Sequence, residues 1–399
     1  MNSESLATTQ APAKLRWTIE RAAAEPGPIL HPLAGSNART FFYHLRKHGG
    51  FTARSRKQRL VSWLAFLGRQ PWSWYESVRY GRSIREHEVK KPPIFLIGHW
   101  RSGTTHLHNL LSRDPQFGYM DFGQTAMPWD MIGDKVEFGR SVIRKILPAT
   151  RGYDNVRLSL EEPQEEEIAL GSMNRIGYFH SYYFPQDAWA EGRRALFFDG
   201  ATEQERENFE RAYEFLIRKV SFAKGGKRLL FKNPPSTVRI PLLKRLYPHA
   251  KFVHIVRNPY PVYRSSIGKF PRLFNAFAWQ DFSDVDTHRI TIDTYADLMR
   301  QYLVDRQTLS DQDLYETSYE KITADPLGEI GRIYDRFEIE DKDAGLASIG
   351  QYVESIRDYE PNVHRMSRAH VEEIQDRWAF SFEHWGYPIE PPEGIRIED

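Results

Sequence analysis

The stretch FLIGHWRSGTTHLHNLL, Phe95 to Leu111, runs from an apolar segment through a glycine-bounded loop into a helical pattern. Gly98 and Gly103, with four residues between them, are followed by Thr104 and Thr105, the outline of a loop that wraps a phosphate between a strand and a helix. Backbone N–H groups at the helix start and the hydroxyls of Ser102, Thr104 and Thr105 can donate to phosphate oxygens, and Arg101 adds charge. A nucleotide P-loop carries a lysine between its second glycine and the following Ser or Thr. Here Gly103 is followed directly by Thr104, so the loop holds its phosphate without that lysine.

Outward from this stretch the chain alternates short β-branched runs with helical stretches, the pattern of βαβ units around a parallel sheet. PIFLIG is the first strand, RLLFK (228–232) the second, KFVHIV (251–256) the third and DLYETSY (313–319) the fourth. Helices are expected at roughly Gly103 to Ser112, Ser236 to Leu246, Pro259 to Ile267 and Tyr319 to Phe337. The fold class is therefore α/β: a three-layer, P-loop-like parallel sheet flanked by helices, with a helical amino-terminal extension. The third strand ends at Arg257, and Ser265 lies eight residues on in the following helix, where both side chains could face one small anion.

The flanks divide the chain. Residues 1–13 are polar and read as disordered, 14–92 as a helical, aromatic and basic extension, 93–388 as the α/β domain and 389–399 as a carboxyl-terminal tail. Within the domain, 117–227 reads as an insertion that builds the second substrate's site, because long connections at the carboxyl ends of parallel strands are where α/β sheets bind ligands. In the extension, HLRKHGGFTARSRKQR carries six Lys or Arg and no acid, and runs into Leu60, Trp63, Leu64 and Leu67, spaced as one helical face. That region reads either as a layer packed on the main domain with its bases solvated or as a peripheral membrane surface through 44–75.

A net charge of +2 over 399 residues gives no field strong enough to argue for nucleic acid. The absence of cysteine excludes thiol nucleophiles, disulfides and cysteine-bound zinc, and fits a cytoplasmic protein. No uncharged apolar run approaches the length of about 18 residues that a spanning helix needs.

With these motifs in view, the chain resembles the sulfotransferases that use 3′-phosphoadenylyl sulfate (PAPS), in particular the bacterial branch with a long amino-terminal helical region. In that family a [KR]-S-G-T-T loop holds the 5′-phosphosulfate, and Arg101 to Thr105 match it position by position. The family's Arg and Ser for the 3′-phosphate match Arg257 and Ser265, and its Y-E-x-[IM]-x-x-[DN]-P pattern, whose Tyr lies near adenine, matches YEKITADP from Tyr319. The resemblance implies a sulfuryl transfer from PAPS to a small-molecule, lipid or glycan hydroxyl or amine, with no metal. It also explains the missing lysine, since the donor ends in one phosphate and a sulfuryl group, with Arg101 to neutralise the departing phosphate.

Lys232, at the end of the second strand, resembles the family lysine that contacts the bridging oxygen. Two positions depart from the pattern. The catalytic His of the best-known cytosolic members falls on Pro234, and the Trp after the two threonines is His106. The family's carboxyl-terminal Arg-Lys-Gly segment is not visible either. The base is therefore sought in EEPQEEE, where a helix capped by Ser159 would turn Glu165 inward with Ile168 and Ala169, toward burial and a raised pKa. Other sulfotransferase branches use a glutamate in this role. Glu166, His106 and His108 stay open beside Glu165. Two other classes stay open: a nucleotide kinase or NTPase, which would explain the loop and sheet and predicts ATP–Mg²⁺ binding but for which the lysine is absent, and a catalytically silent membrane-peripheral protein on the same fold, which would explain the basic aromatic region.

Overall fold

In the computed structural model, which describes residues 31–133, 140–141, 159–356 and 364–398, the four apolar runs lie side by side in one sheet. They are β1 (Ile94–Ile97), β3 (Arg228–Lys232), β4 (Lys251–Val256) and β5 (Leu314–Ser318), and a short β2 (Phe117–Tyr119) completes one edge. The order is β2-β3-β1-β4-β5, with every neighbouring pair parallel. The central strands are buried on both faces, which is why they read as continuous apolar runs rather than alternating ones. The chain leaves β1 toward the β2–β3 side and later crosses to β4 and β5. The switch point, and with it the crevice where such sheets bind ligands, lies beyond the carboxyl end of β1.

Among the described residues, two α-helices precede the sheet, α1 (Ala38–Lys47) and α2 (Arg56–Glu86). After β1 comes α3 (Thr104–Leu111), and α4 (Glu166–Met173) and α5 (Glu203–Ala223) lie between β2 and β3. Then α6 (Pro259–Phe277) follows β4, α7 (Thr287–Asp305) precedes β5, and α8 (Tyr319–Ala324) and α9 (Pro326–Arg336) follow it. Alternate residues of β1 feed two cores. Ile94 and Leu96 join Leu107, Leu110, Ile322 and Ile330 on one face. Phe95 and Ile97 join Phe231, Phe252, Tyr213 and Tyr260 on the other.

Phe41 of α1 and Phe66 of α2, stacked at 4.7 Å between ring centroids, belong to that second core. The amino-terminal helices are thus built into the same hydrophobic interior as the sheet. A buried ion pair between Glu76 of α2 and Lys219 of α5 adds to the junction. Each partner makes a further hydrogen bond: Glu76 accepts from the Ile132 N–H at 2.6 Å and Lys219 donates to the Pro128 carbonyl at 2.6 Å.

Four local expectations need correction. The helix expected from Ser159 begins at Glu166, with Glu165 as its N-cap. Pro163 and Gln164 instead run extended beside Met120 and Asp121, where Gln164 donates its N–H to the Met120 carbonyl at 2.9 Å. The helix expected over Tyr319 to Phe337 is two helices, because Pro326 cannot continue the first, and Asp325 caps the second by accepting from the Gly328 N–H at 2.9 Å. The helix expected over Ser236 to Leu246 opens as a 3₁₀ turn, Pro234–Val238, before the α-helix Ile240–Leu246. The carboxyl-terminal stretch carries a strand, β7 (Ile395–Glu398), paired in parallel with β6 (His364–Ser367). The expected disorder of residues 1–13 lies outside the described residues. No helix among the described residues is long and apolar enough to cross a membrane.

Candidate active site

The loop after β1 is shaped by backbone that only special residues accept. Gly98 has φ 138° and Gly103 φ 101°. A Cβ on Gly98 would lie 2.4 Å from the Ile255 carbonyl oxygen, and one on Gly103 would lie 2.6 Å from Cδ2 of Tyr319. The missing side chains let the loop press against β4 and let the Tyr319 ring reach the start of α3. Arg101 adopts the left-handed region at φ 70°, a cost of about 1 to 2 kcal/mol for a side-chain-bearing residue, and such strain concentrates at functional loops. The Gly98 N–H is held by Thr237 Oγ1 at 2.8 Å, and Ser102 Oγ donates to the His99 carbonyl at 2.7 Å.

Gly98→Ala tests this packing. Because the obstructing atom is a backbone carbonyl in a central strand, we expect a loss of stability on the order of 3 kcal/mol, read by denaturant unfolding. Stability within about 0.5 kcal/mol of wild type would contradict the close approach.

The second basic strand end meets this loop. Arg101 Nε donates to Ser265 Oγ at 2.6 Å, and Arg257 Nη1 approaches the Arg101 carbonyl at 3.4 Å. The Arg257 guanidinium lies over the Tyr319 ring, 4.1 Å from its centroid, and the His106 ring stands edge-on to Tyr319 at 6.4 Å. Burial pushes the His106 imidazole below its ordinary pKa, so it is neutral at neutral pH. The residues read as donor-binding, from Arg101 to His106 with Arg257, Ser265 and Tyr319, thus come together at the switch point. His108 does not join them at the loop mouth; it is buried, with its ring edge-on to Tyr119 at 6.3 Å.

Lys232, at the end of β3, forms an ion pair with Glu165. The lysine is 2% exposed and the glutamate side chain 18%. The expectation that Glu165, more than its neighbours, turns inward toward burial is corrected: with the helix starting one residue later than Glu165, its neighbours are the deeply buried pair. Glu166 accepts from the Tyr213 hydroxyl at 2.7 Å, and burial raises its carboxyl to about 7. Its other oxygen has no hydrogen-bond partner among the described residues. Glu167 accepts from both Nη atoms of Arg239, at 2.6 and 3.0 Å, from Asn233 Nδ2 at 2.7 Å and from the Tyr178 N–H at 2.7 Å. Burial opposes ionisation there, but the Arg239 charge and these hydrogen bonds win and hold the carboxyl below its ordinary range. Glu167 is a fixed anion that ties α4 to the segment after β3, and Glu165 is the member of the triplet left at the edge of the site.

One residue was missed. Lys269 of α6 is 8% exposed, and its ammonium lies 4.8 Å from the Trp100 ring centroid, 5.6 Å from Tyr182 and 5.4 Å from Phe270. Burial lowers its pKa to about 7; the negative charge of Glu165 opposes the shift, while the positive charges of Arg101 and Lys232 add to it. The signal was its spacing: four residues after Ser265, it falls on the same face of α6. The buried aromatic cluster around it includes Trp100 and Tyr178, whose ring centroids are 4.3 Å apart.

A family model for the sulfotransferase family matches residues 92–343. Among characterised proteins, the chain is 28% identical over 325 residues to omega-hydroxy-beta-dihydromenaquinone-9 sulfotransferase Stf3 of Mycobacterium bovis and of Mycobacterium tuberculosis, spanning 81% of this chain and 82% of each relative. Among solved structures, sulfotransferase STF9 of Mycobacterium avium superimposes with a TM-score of 0.69 at 18% identity, over 97% of this chain and all of that one. STF1 of M. tuberculosis gives 0.62 at 17% identity, over 93% of this chain and 99% of that one. The two structures share the α/β fold described above. With the family match spanning the sheet, the loop and both basic strand ends, the chain belongs to the sulfotransferase family and is an enzyme of sulfuryl transfer.

Proposed function

We propose that the donor is PAPS and that the acceptor is a hydroxyl on a lipid-like or aromatic small molecule. The observation that carries the donor assignment is the convergence of Arg101, Ser265, Arg257 and Tyr319 beside a lysine-free phosphate loop. The loop N–H groups and Arg101 hold the 5′-phosphosulfate, Arg257 and Ser265 hold the 3′-phosphate, and Tyr319 offers its ring near the adenine. The acceptor oxygen attacks sulfur in line, forming the new O–S bond as the bond from sulfur to the bridging oxygen breaks. The electron pair leaves on the bridging oxygen of 3′-phosphoadenosine 5′-phosphate, where Lys232 and Arg101 stabilise it, and the acceptor's proton passes to Glu165.

Two observations support the acceptor class. The side chains packed around Lys269 at the edge of the site are aromatic, with Trp100, Tyr182 and Phe270 and with Tyr178 against Trp100, and the Stf3 relatives are named for a menaquinone-type lipid alcohol. Incubating the enzyme with sulfur-labelled PAPS and either the lipid or the aqueous fraction of a cell extract tests it. Label should appear in an organic-soluble product; label confined to water-soluble sugars would overturn the acceptor assignment.

Lys269 stands beside the anion as a cation whose protonation the donor controls. A bound phosphate dianion favours the ammonium and raises its pKa from about 7. Binding of 3′-phosphoadenosine 5′-phosphate near pH 8 should therefore take up a proton, read from binding enthalpies in buffers of different ionisation enthalpy. Lys269→Met should abolish most of that uptake, and equal uptake in the variant would remove Lys269 from the anion's surroundings.

A further inference from the structure

Most of the apolar residues that α2 leaves exposed form one stripe, with Trp72 standing off it. Leu60, Trp63, Leu64, Leu67, Trp74 and Val78 are between 41% and 70% exposed. Their spacing keeps them on one side of the helix for about 27 Å. The other side supplies the packing residues Ser62, Phe66, Glu76 and Ile84. The charges of α2 are arranged around the stripe. Arg56 and Lys57 at one end and Arg82 and Arg85 at the other are exposed, and the 3.6-residue period brings all four onto the stripe's own side. The acids of this 31-residue helix are Glu76, buried against Lys219, and Glu86 at its last position.

Phe42 of α1, 41% exposed and 6.0 Å from Phe66, extends the apolar surface. Beside it lies an open cavity of about 510 Å³ lined by Arg39, Tyr43, Arg46, Lys47 and Arg175. Lys47 is paired with Glu191, and Arg175 lies over the Tyr43 ring at 4.5 Å, so aromatic and cationic groups alternate there as well.

We propose that this face docks on an anionic lipid surface, with the α2 stripe set into the headgroup–acyl boundary and the basic ends of α2 on phosphate headgroups. An apolar centre with tryptophans, bounded at both ends by Arg and Lys and free of exposed acid until Glu86, has the charge and shape of an in-plane interfacial helix. The charge pattern disfavours a second copy of this chain as the occupant. Both ends are basic, so parallel and antiparallel pairings alike set cation against cation. The inference stands on the surface alone and does not depend on the donor or acceptor assignment. For a lipid acceptor it would set the enzyme on the phase that holds the substrate.

The test is flotation of the full chain with phosphatidylcholine vesicles made with and without phosphatidylglycerol. The wild type should float with the anionic vesicles, weaken as salt is raised and float poorly with phosphatidylcholine alone. The exposed-residue variant Leu64→Ser/Trp74→Ser/Val78→Ser should bind anionic vesicles about tenfold or more weakly. The variant Arg56→Gln/Lys57→Gln/Arg82→Gln/Arg85→Gln should lose the preference for phosphatidylglycerol. Calorimetry with 3′-phosphoadenosine 5′-phosphate reports on the fold and should give the wild-type affinity for both variants. A wild type that stays in the aqueous fraction with both vesicle types would overturn the proposal. So would a concentration-dependent dimer that the serine variant abolishes, which would make a second copy the occupant.

Discussion

Glu165→Gln is expected to lower turnover by about 10²- to 10⁴-fold, the range for loss of a positioned general base, while leaving the affinity for 3′-phosphoadenosine 5′-phosphate within about twofold. The substitution keeps the shape and one acceptor oxygen for Lys232 but removes the charge and basicity. Glu165 is the N-cap of α4, beside a lysine that ends a central strand, and of the three consecutive glutamates it is the one at the edge of the site. Glu166 is sealed behind Tyr213, and Glu167 is consumed by Arg239, Asn233 and the Tyr178 N–H. Because Lys232 is buried, the variant also leaves an ammonium without its compensating charge, so a stability loss of about 3 kcal/mol is expected alongside. Bisphosphate affinity separates that loss from the catalytic one. Unchanged turnover would remove Glu165 from the mechanism and point to Glu166, whose carboxyl at about 7 is suited to proton transfer.

Arg257→Ala carries the second large effect, on donor selection. The guanidinium is held between the Arg101 carbonyl and the Tyr319 ring, at the end of β4. Losing a partner of a desolvated charge pair costs about 2 to 5 kcal/mol, so affinity for 3′-phosphoadenosine 5′-phosphate should fall by roughly 30- to 10³-fold or more. The informative quantity is a difference. Adenosine 5′-phosphate lacks the 3′-phosphate, so the wild type should prefer the bisphosphate strongly and Arg257→Ala should show little preference. An equal loss for both ligands would mean that Arg257 supports the loop rather than reading the 3′-phosphate.

The parts of this fold that were legible in the sequence are those whose reasons are local. The central strands carry continuous apolar runs because both faces are covered. The glycines of the loop mark positive φ angles, and Arg257 ends a strand whose length sets its place. What stayed hidden depended on partners distant in the chain. β2 is three residues long and exists because β3 offers it an edge. The acidic stretch looked like a helix from Ser159, yet a turn and the pairing of Pro163 and Gln164 beside Met120 and Asp121 hold the helix off until Glu166, and that shift of register decides which glutamate faces Lys232. Lys269 gained its setting from rings contributed by the loop, by the segment after α4 and by α6 itself. The helical face of Leu60, Trp63, Leu64 and Leu67 was visible as a pattern, but whether it turned toward the core or toward solvent was decided by Phe66 and Glu76 on the opposite side.

The claim on which the rest depends is that a loop without the nucleotide-binding lysine is built for one phosphate and a sulfuryl group, with a separate arginine site for a 3′-phosphate. Isothermal titration calorimetry of the wild-type chain with 3′-phosphoadenosine 5′-phosphate and, separately, with ATP–Mg²⁺ tests it most directly. Saturable binding of the bisphosphate is expected, with affinity for ATP–Mg²⁺ lower by at least about tenfold, the equivalent of 1.4 kcal/mol. Tight binding of ATP–Mg²⁺ with none of the bisphosphate would contradict it.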